Sequence, residues 1–226
     1  AGVFARINYS FDDRYLIELN GRYDGSSKFP TNQQWGFFPS VSAAWRVSGE
    51  RWWNVNPNIL SSLKIRGSWG ELGNANVGVY SFIETFNIDN LSYVIDGVSK
   101  PRITSIPSQI PDGLTWETSR TIDGGIDVGF YNGKINLTAD YYVRNTLDMY
   151  TVGPTLPDTY GASAPKGNYA DLVTRGFELS LSYDDSFKLG AHNLNVGFKA
   201  TLADNRSFIT RYNNPNGLIA NTYYKG

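Results

Sequence analysis

The chain has no cysteine, so it holds no disulfide framework and no thiolate metal site. It has a single histidine, His192, which leaves no basis for a histidine-pair metal motif or a Ser-His relay. No stretch approaches the 18 apolar residues that a membrane-spanning helix needs. Its start, AGVFARINYSF, lacks the basic segment and apolar core of a signal peptide and reads as the middle of a longer chain. Charge is sparse and balanced. Charged residues make up 18% and the net charge is −1, which argues against nucleic acid as a partner. Gly70, Gly73 and Gly78 make no phosphate loop, because no Lys-Ser/Thr pair follows them. These absences leave no catalytic, metal or cofactor constellation, and the chain is not expected to be an enzyme.

Alternation is present in abundance. From Ile122 to Phe130, Ile122, Gly124, Ile126, Val128 and Phe130 take one parity, and Asp123, Gly125, Asp127 and Gly129 the other. After Asn132-Gly133, Ile135, Leu137, Ala139, Tyr141 and Val143 alternate with Asn136, Thr138, Asp140, Tyr142 and Arg144. Period two means strand, and Asn-Gly suits a tight hairpin turn. Each arm runs about ten residues or more, the length of a tilted strand crossing a bilayer. The same pattern recurs at Val3 to Phe11 and Tyr15 to Tyr23, joined by a turn at Asp12-Asp13-Arg14, and at Phe37 to Ser48 and Leu63 to Trp69. It returns at Val173 to Tyr183 and Leu194 to Leu202, with a turn expected from Asp184 to Asn193. That is about eight clear strands. Aromatics reach 15%, with 15 Tyr, 12 Phe and 6 Trp, beside 23 Gly, a composition that fits a transmembrane barrel.

The connections alternate in length. Those at Asp12, Asn132 and Asp184 are short, and those at Gly25, Leu72 and Thr151 are longer, as in barrels with short inner turns and long outer loops. The connection from Gly49 is longer than its place in this order requires, with a helical turn expected around Trp52-Trp53. Leu72 to Leu114 is the least regular part, with short strands expected at Glu84 to Asn87 and Ser92 to Ile95. Aromatics gather at strand ends: Tyr23, Phe37, Trp69 and Trp116 on the long-loop side, Phe11, Tyr15, Trp45, Phe130 and Tyr183 on the other. Three charges share the apolar parity, Glu71, Arg120 and Arg175, all toward the outer ends, where a lipid-facing charge costs little.

Parity assigns two faces. Ile7, Ile17, Val41, Trp45, Ile65, Ile126, Val128, Leu137, Leu179 and Leu181 are expected to face lipid. Arg6, Glu18, Arg22, Arg46, Lys64, Arg66, Asp127, Asp140, Arg144, Glu178 and Lys199 are expected to face the lumen, either as a mutually paired interior or as a wall along a solute path. The loop aromatics Phe29, Trp35, Phe82, Phe86 and Tyr160 are candidates for contact with a substrate or a lid, or for packing within the loops. Read from the residues alone, a soluble carbohydrate-binding β-sandwich and an outer-membrane receptor or adhesin without transport are the alternatives. A sandwich would bury the apolar face that a barrel shows to lipid.

RYDGSSKFPTNQQWGFFPSVSAAWRVS, Arg22 to Ser48, resembles the barrel of SusC/RagA-type TonB-dependent transporters. LKIRGSWGELGN, Leu63 to Asn74, is similar to the next strand of that family. LTWETSRTIDGGIDVGFYNGKINLTADYYVRNTLDM, Leu114 to Met149, is similar to the following hairpin, and Arg175-Gly176-Phe177-Glu178-Leu179 to the strand after it. The order and spacing agree across nearly the whole chain. Mild departures are Glu71-Leu72 before Gly73-Asn74, and Tyr183 where a Trp would be unsurprising. The resemblance implies an all-β, antiparallel transmembrane barrel of about 22 strands, of which residues 1–226 would be one part. It further implies an importer of glycans or peptides in the bacterial outer membrane, with a SusD-like surface lipoprotein as lid. A plug and a segment that meets the TonB complex, neither of them in this sequence, would complete it.

Overall fold

The alternating stretches form strands, because only an extended backbone sends every second side chain to the same side. In the computed structural model these are β1 (Gly2–Phe11), β2 (Tyr15–Gly25), β3 (Trp35–Arg46), β4 (Ser62–Asn74), β5 (Ile88–Asn90), β6 (Arg102–Thr104), β7 (Glu117–Phe130), β8 (Ile135–Val152), β9 (Lys166–Leu189) and β10 (His192–Arg211). The structure describes all residues except 87, 91–92, 95–96, 105–109, 111–112, 155, 158, 160, 162–163, 191, 213, 215–224 and 226.

Eight strands make one antiparallel sheet in the order β1-β2-β3-β4-β7-β8-β9-β10, and β5 pairs with β6 inside the long β4–β7 connection. Every strand thus lies beside its neighbour in sequence apart from that small insertion. The sheet is open, with β1 and β10 at its two ends, so it is an arc of a barrel wall.

Turn chemistry closes the hairpins as the residues dictate. Asp12 and Asp13 both take positive φ, 52° and 53°, and Tyr131, Asn132 and Gly133 follow at 51°, 57° and 82°. The last hairpin departs from expectation. Asp184 to Leu189 is strand, the turn comes at Gly190 (φ 65°), and His192 opens β10 rather than sitting in the turn. The run Asp184-Asp185-Ser186 looks like a turn because it is polar. Yet the Asp184 N–H donates to the Lys134 carbonyl at 2.8 Å and the Asp185 carboxylate pairs with Lys134 at 2.7 Å, so the hairpin continues past the neighbouring turn.

Other boundaries shift. β10 runs on to Arg211, through sequence that reads as an exit loop, and β8 and β9 extend into the stretch from Thr151 to Asp171. The short strands of the long connection fall at Ile88–Asn90 and Arg102–Thr104. Glu84 to Phe86 is not strand, while 87, 92 and 95 lie outside the described residues. The helical turn expected at Trp52-Trp53 lies at Val47–Gly49, where the chain leaves β3, followed by a turn closed by the Trp53 N–H on the Glu50 carbonyl at 3.0 Å.

Buried hydrophobic side chains are few: Phe29, Phe38, Val47, Val77, Leu114, Ala170 and Val173. No described element forms a second layer on the apolar face of the sheet. Among the described residues this excludes a sandwich, whose energy comes from burying that face.

Candidate functional site

Register decides which side chains share a wall. Arg6 stands opposite Asn20, Asn8 opposite Glu18, Glu18 opposite Ser42, Ser42 opposite Ser68 and Ser68 opposite Asp123. Further round, Lys64 faces Asp127, Asp127 faces Thr138, Asp140 faces Glu178, and Lys199 faces Ser182. One polar face therefore runs unbroken across all eight strands, and a one-residue slip anywhere would destroy it. It is hollowed. A cleft of ≈ 460 Å³ is lined by Asn8, Glu18, Ser42, Lys64, Arg66 and Asp123, and another of ≈ 310 Å³ lies nearer the long loops, against Asn20, Arg22 and Phe38.

Arg66 is the hub of this face. Its Nη2 reaches the Asp140 carboxylate at 2.6 Å, its Nε lies 3.4 Å from Asp127, and its Nη1 lies 3.7 Å from Asp123. Asp127 also takes Lys64 at 3.3 Å and a hydrogen bond from Thr138 Oγ1 at 3.1 Å. The network spans β4, β7 and β8 with every member partly buried. Such charges are worth more together than as isolated surface pairs, each of which contributes at most about 1 kcal/mol. Gly125 makes the network possible: a Cβ there would lie 2.1 Å from Asp140 Oδ1 and 3.0 Å from Arg66 Cζ.

The other expected lumen residues lie on the same face in smaller groups. Arg6 donates to Asn20 at 2.7 Å and lies 3.8 Å from Glu18. Arg22 pairs with Asp24 at 3.1 Å, and Arg144 sits 5.5 Å over the Tyr142 ring. Arg46 stands opposite Lys64 in register, and Lys199 lines a third cleft beside Thr138 and Ser180. Asp123 belongs to the central network although reading the sequence did not single it out; its parity and its register with Ser68 are the signals that find it.

On the opposite face stand Ile7, Ile17, Val41, Trp45, Ile65, Ile126, Leu179 and Leu181, all exposed, with Val128 and Leu137 half-buried between neighbours. Cross-strand partners keep them together: Ile65 with Ile126, Val128 with Leu137, Leu137 with Leu181. At the short-turn end this face closes with a row of rings, Tyr15 stacked on Trp45 at 6.5 Å and Phe11 at 6.4 Å from Tyr15.

Glu50, also missed in the sequence, fastens that end. Its carboxylate accepts from Tyr15 Oη at 2.6 Å and Trp45 Nε1 at 2.9 Å, and from Arg14 Nη1 at 3.0 Å. Arg14 in turn pairs with Asp12. The hydrogen bonds of Tyr15 and Trp45, with Arg14 beside them, hold the Glu50 carboxyl below the usual carboxylate range.

At the long-loop end the connections share a core of their own. Phe29, Val77 and Leu114 are buried together, with Phe82, Trp116 and Tyr150 packed around them. The Trp116 ring lies 4.9 Å from Phe29 and 5.4 Å from Phe38, so Trp116 belongs to this core and not to a membrane girdle. Phe29 is 0% exposed, which removes it as a substrate- or lid-contacting side chain. Phe82 is partly buried on the same cluster, Trp35 stacks on Tyr23 at 5.0 Å, and Phe86 is exposed; Tyr160 lies outside the described residues. Beside this core Arg211 gathers Asp171 at 2.6 Å and Asp148 at 2.7 Å, tying β10 to β9 and to the bulge in β8 where Asp148 takes φ 55°.

An open antiparallel arc with one continuous apolar face and one hollowed, charged face is a segment of transmembrane β-barrel wall. The profile of the family described as TonB dependent receptor-like, beta-barrel, matches residues 1–225, and the chain belongs to this family. Its relatives agree. TonB-dependent receptor SusC of Bacteroides thetaiotaomicron is 30% identical over 249 residues, covering 98% of this chain and 24% of SusC. TonB-dependent receptor P3 of Formosa agariphila is 32% identical over 180 residues, 80% of this chain and 18% of that receptor. Among solved structures, the RagAB peptide importer in its closed-closed state superposes with a TM-score of 0.81 at 26% identity, over 100% of this chain and 24% of the importer chain. The chain thus spans about a quarter or less of the length of these relatives.

Proposed function

We propose that this chain is part of the barrel wall of an outer-membrane importer of glycans or peptides. One observation carries the reading: register keeps one polar face and one mainly apolar face in step across eight strands, with no described element covering the apolar side. The apolar side meets lipid. The polar side lines a water-filled interior, where charged groups stay solvated and paired while hydrophilic, hydrogen-bonding solutes pass. Energy for import comes from the TonB complex acting on a plug outside these residues, and a SusD-like lipoprotein covers the outer mouth above the loop core. The barrel moves solutes and performs no chemistry on them. The likeness to SusC and to the RagAB peptide importer supports this assignment.

The test uses the full-length protein in its own outer membrane. A strain lacking it should lose uptake of particular labelled oligosaccharides or oligopeptides and regain it with the wild-type gene, and an affinity tag on it should co-purify a surface lipoprotein. Normal uptake of every such solute by the deleted strain would refute the reading.

A further inference from the structure

The extended β10 places an unexpected charge on the apolar face. Arg206 shares its side with Phe198, Ala200 and Leu202, and its Cα partner across the ladder is Arg175, which shares its side with Phe177, Leu179 and Leu181. Two exposed guanidinium groups therefore stand side by side among the Leu and Phe side chains of this face. Directly opposed like charges repel. Glu71 and Arg120, the comparable cross-strand pair on this face, neutralise each other at 2.7 Å. Across the β9–β10 ladder neither Arg175 nor Arg206 has a carboxylate directly opposite it. Asp204, opposite Phe177 and diagonal to Arg175, balances one of the two charges at most.

Their depth follows from β9. Along its apolar side Arg175 and Asp185 bracket Phe177, Leu179, Leu181 and Tyr183. Those about ten residues span roughly 33 Å at the strand rise, and a tilt of about 40° reduces this to about 25 Å, the height of a barrel's apolar band. Asp185 marks the short-turn boundary through its pair with Lys134, so Arg175 and Arg206 stand at the outer boundary.

We propose that Arg175 and Arg206 form a docking site for a phosphate on an outer-leaflet lipid headgroup. The inference rests on the membrane-barrel reading above. A phosphate presents several oxygens to two planar donor forks, the geometry guanidinium groups suit best. Its negative charge removes the repulsion between them. Long arginine side chains extend from the apolar band to the headgroup level, and the acyl chains of the same lipid lie along Phe177, Leu179 and Leu202.

Phenylglyoxal labelling of the full-length protein in neutral detergent, mapped by mass spectrometry, tests this. Lipid A should slow labelling of both arginines about tenfold, the effect expected of one charge-assisted hydrogen bond. Dephosphorylated lipid A and inorganic phosphate should not. Equal protection by inorganic phosphate, equal protection by the dephosphorylated lipid, or no protection by lipid A would each overturn the site. As a second readout, the double substitution Arg175→Gln, Arg206→Gln should retain about tenfold less lipid A, and the Arg175→Lys, Arg206→Lys pair should recover part of it; full retention by the Gln pair would overturn the site. A nitroxide at position 179 separates the two failures. If it is oxygen-accessible while the arginines are unprotected, the phosphate site alone is wrong; if it is shielded, the barrel reading falls as well.

Discussion

Gly125 stands directly across the ladder from Asp140, and the missing side chain leaves the room in which Arg66 reaches the Asp140 carboxylate at 2.6 Å. The neighbouring Gly124 has open space on the apolar side. Gly125→Ala should therefore destabilise the full-length barrel by about 1–3 kcal/mol, through displaced charges and overpacking, while Gly124→Ala should be near neutral. Urea midpoints of the two variants decide it, and equal midpoints would remove the argument for the network.

Ile126 and Asp127 are adjacent and point to opposite faces. Ile126→Arg should cost roughly 2–4 kcal/mol near the bilayer midplane, and Asp127→Asn about 1 kcal/mol for its lost pairs. Accessibility is the sharper measurement. A nitroxide on a cysteine placed at 126 should be relaxed by molecular oxygen, and one at 127 by a water-soluble relaxer or by neither. Matching responses at both positions would contradict the two-faced wall.

The folded-state pKa of Glu50 lies below its ordinary value, so its ionised form stabilises the fold. That contribution is complete above the ordinary carboxylate range, near pH 4.3, and is lost as pH falls through the lower folded value. Glu50→Gln should lower stability at pH 7, and the gap to wild type should close on acidification below about pH 4. A gap that stays constant or widens in acid would show that the carboxylate charge has no part in holding Tyr15, Trp45 and Arg14.

Phe29 is wholly buried, yet its core belongs to the loops and not to the sheet. Phe29→Ala should cost about 3–5 kcal/mol locally, exposing the chain at 26–34, 75–82 and 113–116 to protease while the strands stay inserted. Limited proteolysis of the membrane-embedded protein, read beside its heat-modifiable gel shift, checks this. Unchanged cleavage, or loss of the shift, would show that the two units are not separable.

Most of the wall was legible in the residues, because period two is a local property: Ile122 to Phe130 can put its apolar side in one place only if it is extended, and Asn132-Gly133 can be little else than a turn. The parities of Lys64, Arg66, Asp127 and Asp140 already grouped them on one face. Partnership was not legible, since register arises between strands distant in sequence. That Arg66 meets three aspartates, that Gly125 yields space to one of them, and that Arg175 faces Arg206 all follow from the ladder. Strand ends beyond the membrane band, such as Asp184 to Leu189 and Asn205 to Arg211, carry little apolar alternation among their polar residues and look like loops until a neighbouring strand supplies their hydrogen bonds. The sequence left Phe29 open between a contact residue and loop packing, and placed Trp116 among the strand-end rings, because only the packing of one loop on another buries them, and that packing is decided by where the sheet delivers the loop ends.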